Sequence, residues 1–217
     1  MDFSADERGA VYRAIAERRD VRRGFLPEAV PDEVMMRVLG AAHAAPSVGL
    51  MQPSRFVVVR DVAVRTAVRE AFLAANASAK EAYEGERREL YDGLKLEGIL
   101  EAPQNVCVLC DACSDQGHGL GRQTMPEAAI YSTVCAVQNL WLAGRVEGIG
   151  VGWVSILDMA KLREILGVPE RLTVVAYLCV GYVGEFGRGP ELERVGWESR
   201  RGLEGAVSFD RCGAEWG

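Results

Sequence analysis

The chain has 217 residues, 49% of them hydrophobic and 26% charged, with 31 acidic against 25 basic side chains. Such a composition supplies one sizeable core and excludes disorder as the main state. A net charge of −6 and a pI near 5.1 argue against a nucleic-acid binder, and no apolar run approaches the roughly 20 residues of a membrane helix.

The N-terminus, Met1 to Glu7, is acidic and polar, unlike a secretory signal or a transit peptide, which leaves the cytoplasm as the default location. Ser4 and Glu7 stand at capping-box spacing, and the pattern after them predicts an amphipathic helix to Arg19. A second helix is expected over about 32–44, with Pro31 near its first turn, Asp32 and Glu33 at its positive end and Pro46 beyond its stop. The loop Ser47 to Pro53 then feeds a strand over 55–60. Residues 61–101 read as helical with a break at Gly85 or Gly93, and a second strand is expected over 105–110. Three glycines and many small polar residues in 112–124 predict a mobile loop. Pro126 opens the most apolar helix, about 127–146, which belongs in a core or a subunit interface. A strand over 152–156, a short helix over 158–166 and a long strand over 172–183 follow. Residues 192–217 read as a polar tail that wraps a partner subunit. One α+β domain over 1–217 is the economical organisation.

Five segments carry candidate chemistry. Arg18-Arg19-Asp20-Val21-Arg22-Arg23 packs four guanidinium groups into six residues, suited to clamping a phosphate, although a solvated helix C-terminus has the same look. Asp20 among them offers a proton acceptor or a group that orients a substrate. In Ala45–Pro53, Ser47 and Gln52 offer hydrogen bonds to a planar polar ligand, and an ordinary helix-to-strand connection is the alternative. The glycines of Gly148–Trp153 follow a helix and run into a strand, the reverse of a dinucleotide fingerprint, which leaves close backbone packing against a flat ligand or a strand. Cys107, Cys110 and Cys113 lack the further Cys and Pro of an iron–sulfur run, and the six cysteines are too sparse for a disulfide scaffold. Only two histidines exist, so a multi-histidine metal site is excluded; His43 reads as a core or interface residue, and His118 has no zinc-ligand spacing around it. Ser155 ends Gly-Trp-Val-Ser-Ile without a nucleophile elbow and offers a hydroxyl for a cofactor.

The stretches Tyr12–Arg22, Ala45–Pro53, Leu94–Pro103, Tyr131–Leu142 and Gly148–Ile156 together resemble the nitroreductase-like flavoproteins, over about Asp6 to Arg201. Ordinary nitroreductases usually carry Ser where Asp20 stands. Asp20 combined with Trp153-Val154-Ser155 is similar to their narrower branch, the 5,6-dimethylbenzimidazole synthases. The resemblance implies an α+β fold with a central, mostly antiparallel sheet flanked by helices, a long apolar central helix and an interlocked homodimer with FMN at the interface. It implies that Arg18, Arg19, Val21 and Arg22 hold the ribityl and phosphate groups, with Arg200 a further phosphate candidate, and that Ser47, Met51 and Gln52 line the ring. The branch's reaction consumes reduced FMN with molecular oxygen, releasing dimethylbenzimidazole and erythrose 4-phosphate, after a separate flavin reductase has supplied the reduced flavin. Asp20 matches its proton acceptor near the first ribityl carbon, and Ser155 the serine that helps position the flavin. An NAD(P)H-dependent nitroreductase using FMN catalytically is the rival, and a flavin-binding protein without turnover the third class. Ser54 where relatives carry Trp, Ala128-Ala129-Ile130 before the Tyr-Ser-Thr run, and the 112–119 loop depart from the branch's pattern.

Overall fold

The computed structural model describes residues 2–212; Met1 and residues 213–217, the last five of the expected tail, lie outside them. The regular elements begin with helices α1 (Ala5–Glu17) and α2 (Asp32–His43), strand β1 (Ser54–Val59), helices α3 (Val62–Lys80) and α4 (Gly85–Asp92), and strand β2 (Gln104–Cys110). Helix α5 (Ala128–Val146), strand β3 (Ile149–Trp153), helix α6 (Met159–Leu166), strand β4 (Thr173–Tyr182) and the single turn α7 (Glu191–Arg194) complete them.

The four strands form an antiparallel sheet in the order β1-β2-β4-β3. β2 has a neighbour on each side and every residue buried, so after Gln104 and Asn105 its run Val106–Cys110 reads continuously apolar rather than alternating. Its two faces still serve different layers. Val106 and Val108 pack with Leu178 and Val180 against Val38 of α2 and Leu140 of α5. Cys107 and Leu109 pack with Tyr177 and Cys179 against Phe72 of α3 and Leu162 of α6. Burying one such leucine contributes about 1.5–3 kcal/mol, so the two layers together fix the sheet between helices.

Several boundaries differ from expectation for identifiable reasons. The capping box forms in both directions: Ser4 Oγ accepts from Glu7 N–H, and Glu7 Oε2 accepts from Ser4 N–H. α1 nevertheless stops at Glu17, because Arg18 is already extended (φ −58°, ψ 136°) as the chain turns toward β3. α4 begins at Gly85 and is capped by Gly93, so both suspected breaks are used. Beyond it, residues 94–101 are not helical; Glu97 turns inward, its carboxylate accepting from Ile99 N–H at 2.6 Å and pairing with Arg69. The glycine-rich run is itself β3, so the strand ends at Trp153 and Ser155 lies beyond it. Residues 112–124 form consecutive turns tied by Arg122, which donates to the carbonyls of Ala112 and Ser114. The tail up to Arg200 packs on its own chain through Arg23–Glu191 and Trp197. No helix among the described residues is long and apolar enough to cross a membrane.

Candidate functional site

The arginine segment lies along β3. Val21 N–H donates to the Val151 carbonyl at 3.0 Å, and Asp20 bridges Val151 in the parallel sense. The glycines of β3 make room for it: a Cβ on Gly152 would stand 1.9 Å from the Val21 carbonyl oxygen, and one on Gly150 would stand 3.1 Å from the Val21 side chain. The Gly148–Trp153 run therefore admits backbone at close range. Asp20 is oriented through both oxygens, Oδ1 accepting from Trp153 N–H at 2.9 Å and Oδ2 pairing with Arg22.

The neighbouring guanidiniums are built in rather than solvated. Arg18 lies over the Trp141 ring, 4.7 Å from its centroid, and the Trp141 indole N–H donates to the Arg19 carbonyl. Arg19 donates to the Gly187 carbonyl at 3.0 Å, and the Arg22 side chain is only 15% exposed. Arg18, Arg19, Asp20 and Arg22 wall a cavity of about 140 Å³, whose other side is formed by Pro190, Glu191, Leu192 and Arg200. Burial, aided by the positive charges of Arg200 and Arg19, holds the Arg18 guanidinium below its usual range, with Asp20 opposing. Arg22 Nε is buried without a hydrogen-bond partner in the described structure. Crowded cations and an unused buried donor suit a multivalent anion such as a phosphate monoester.

The second segment is built around a turn. Ser47 Oγ accepts from Gln52 N–H and Ser132 Oγ from Val48 N–H, each at 3.0 Å. Gly49, Leu50 and Gln52 all have left-handed φ, between 43° and 56°. Gly117 of the following loop sits so close that a Cβ there would stand 2.4 Å from the Gly49 carbonyl oxygen. Gln116 Nε2 donates to the Leu50 carbonyl and to Gln52 Oε1, and Gln52 Nε2 faces His43 Nε2 at 3.2 Å. Two expectations change here. His43 is exposed at the end of α2 beside Gln52, so of its two expected places, core or interface, the core is ruled out. The Met51 side chain is fully buried against Cys110 and Ala129, so it supports the loop from below and offers no surface to a ligand. The two segments meet α5 at Trp141 and at Ser132, about 13 Å apart along the helix axis.

The Nitroreductase family model matches residues 15–182. The chain belongs to the nitroreductase family. A protein of Rhodospirillum rubrum named 5,6-dimethylbenzimidazole synthase is 50% identical over 184 residues, 85% of this chain and 87% of that protein. A Rhodobacter capsulatus protein of the same name is 39% identical over 198 residues, 91% of this chain and 95% of that protein. Among solved structures, oxidized iodotyrosine deiodinase bound to FMN and 3-iodo-L-tyrosine aligns with a TM-score of 0.74 at 23% identity, covering 93% of this chain and all 100% of that one. That likeness bears on the fold, which is nitroreductase-like.

In this nitroreductase-family chain the remaining candidates separate. Ser155 is exposed two positions past the Trp153 amide that holds Asp20. Cys107 and Cys110 are buried and Cys113 exposed; burial pushes the Cys107 thiol up to about 12. No group of three or more His, Cys, Asp or Glu residues suited to a metal occurs among the described residues. His118 is exposed in a turn. The departures Ser54 and Ala129 lie in the core beneath the Ser47 loop, with Ser54 Oγ 3.5 Å from Thr133 Oγ1. Trp141, Gly187 and the Pro190–Leu192 segment escaped the sequence reading, since each reaches the arginines only through the fold and carries no local mark of it.

Proposed function

We propose that the protein is an oxygen-dependent 5,6-dimethylbenzimidazole synthase, fragmenting reduced FMN to 5,6-dimethylbenzimidazole and erythrose 4-phosphate, with the benzimidazole destined for the lower face of cobalamin. The observation that carries this reading is Asp20, an oriented carboxylate in an arginine-walled cavity of a chain half-identical to a protein of that name. Arg18, Arg19, Arg22 and Arg200 hold the phosphate and ribityl groups beside the Val21 backbone, and the unpartnered Arg22 Nε is one donor the phosphate satisfies. Ser47 and Gln52 meet the ring edge, with Met51 packed beneath them. When bound, the reduced flavin supplies both the electrons that reduce oxygen and the carbon skeleton that is cleaved.

Asp20 would take the proton at the first ribityl carbon, its oxygens kept aimed by the Trp153 amide and Arg22. Ser155 positions the flavin from the end of β3. Because each turnover destroys the flavin, a separate flavin reductase must renew it. The reading includes a homodimer in a reducing, cytoplasmic compartment, supported by α1, which has no buried residue although it carries Val11, Tyr12 and Ile15.

The test supplies reduced FMN in air and follows dimethylbenzimidazole by chromatography. Asp20→Asn is expected to keep FMN binding while product formation falls about 10²–10⁴-fold, the usual contribution of a positioned base. Normal product yield from that variant overturns the role of Asp20. Steady NAD(P)H oxidation with a nitroaromatic acceptor and no benzimidazole overturns the reaction itself, in favour of catalytic use of FMN.

A further inference from the structure

The segment 184–200 supplies Leu192 and Arg200 to the arginine cavity. Arg19, which donates to the Gly187 carbonyl, and Arg145, 4.1 Å over the Phe186 ring, hold its first half, whereas its second half has little regular structure of its own. Gly184, Gly187 and Gly189 lie in that first half, and α7 is a single turn with no buried residue. A helix that short does not persist without tertiary support. Its ion pair, Glu191 with Arg23, has a half-exposed arginine partner and is weak in water.

In that second half one side chain, Trp197, is held by several partners. The Trp197 ring meets Tyr83 edge-on at 5.4 Å and Tyr91 at 6.2 Å, while those two tyrosines stack on each other at 4.8 Å. The Arg87 guanidinium lies 5.0 Å from the Trp197 ring centroid and also donates to the Trp197 carbonyl. Tyr91 is itself fixed, its hydroxyl donating to Asn76 Oδ1 at 2.6 Å. Trp197 thus sits in a preformed aromatic seat between the end of α3 and α4. Its backbone passes that fixation on: Trp197 N–H donates to the Leu192 carbonyl at 2.9 Å, and Arg200 N–H to Glu193 Oε1 at 3.3 Å.

We infer that Trp197 is a positioning residue, latched by Tyr83, Tyr91 and Arg87, which sets Arg200 and Leu192 over the arginine cavity and so governs affinity for the phosphate end of the ligand. The inference rests on the flavin reading above but assigns the role to residues outside the cavity wall. Losing the latch unpins one guanidinium from a charge-assisted contact while leaving Arg18, Arg19 and Arg22 in place. The consequence is selective: phosphate-bearing ligand suffers and the same ring system without phosphate does not.

The test titrates FMN and riboflavin into the wild type, Trp197→Ala, Trp197→Phe, Arg200→Ala and the double variant Trp197→Ala/Arg200→Ala. Trp197→Ala is expected to weaken FMN about tenfold, the scale of one charge-assisted hydrogen bond, and to leave riboflavin unchanged. Trp197→Phe restores most of the affinity, and the double variant binds FMN no more weakly than Arg200→Ala alone, the mark of two residues acting through one contact. Equal losses for FMN and riboflavin, no loss at all, or a further loss in the Arg200→Ala background each overturn the latch. A wild type that binds no FMN sinks the flavin reading instead. The latch then stands on inorganic phosphate alone, which must raise the thermal midpoint of the wild type but not of Trp197→Ala or Arg200→Ala; any other pattern rejects it.

Discussion

A methyl group at position 152 would lie 1.9 Å from the Val21 carbonyl oxygen, backbone that has no flexible end to swing aside. Gly152→Ala therefore forces the Asp20–Val21 segment off β3, breaking the bond of Val21 to Val151 and that of Trp153 to Asp20. The expected cost is about 1–3 kcal/mol of stability, as for other overpacked sites, together with loss of FMN affinity. Gly40→Ala is the control: it sits in α2 with nothing within 4 Å of the new methyl, and it should raise stability by up to about 1 kcal/mol. Urea titration and flavin titration of both variants check this, and a Gly152→Ala protein of wild-type stability would contradict the close packing. At this scale the sequence was legible where chemistry is concentrated. Four arginines around one aspartate raise an anion site beside the plainer reading of a solvated helix end, whereas Trp141 under Arg18 and Leu192 opposite it are ordinary apolar residues until the fold brings them there.

The strands β2 and β4 carry thiols into the layer shared with α3 and α6. Burial raises Cys107 and Cys179 from 9.0 to about 12, and it raises Tyr177 between them in the same direction. Below 9.0 both folded and unfolded chains keep these protons, so the groups cost nothing. Between 9.0 and about 12 the unfolded chain releases protons that the folded chain retains, so stability falls as pH rises through that window. Urea midpoints at about pH 8 and about pH 10.5 should show this fall, and Cys107→Ala/Cys179→Ala should flatten it. An unchanged slope in the double variant would place the alkaline sensitivity elsewhere. The same strands show why elements were largely readable. A short apolar run such as Val106–Cys110 of β2 suits a buried strand, a long one such as that of α5 a core helix, and α1 announces its start by Ser4 and Glu7. Misreadings arose where tertiary contacts override local preference. Residues 94–101 have a helical composition, yet Glu97 is drawn inward to Arg69 and the Ile99 amide. The glycines at 148–152 look like a connection, yet β4 on one side and Val21 on the other make them a strand.

At the scale of the whole molecule, apolar surface remains that one protomer does not use. α5 buries Ala136, Val137 and Leu140 in the core but leaves Tyr131 56% and Val134 40% exposed on its other face. Phe209 of the tail is 87% exposed. Patches of this kind suit association, and the proposed flavin site would give a dimer a purpose. The Ser47 loop and the arginine segment meet α5 at opposite parts of its length, so a closed two-fold arrangement can bring the loop of one copy to the arginines of the other. Sedimentation should then find the 23.6 kDa chain as a dimer. Val134→Glu buries a charge at the contact and should give monomers that stay folded, because the residue lies outside the core clusters. Loss of FMN affinity should track dissociation in that variant and return at protein concentrations that restore the dimer. A folded monomer that keeps full FMN affinity would mean that a single chain completes the site, with the Ser47 loop no part of it.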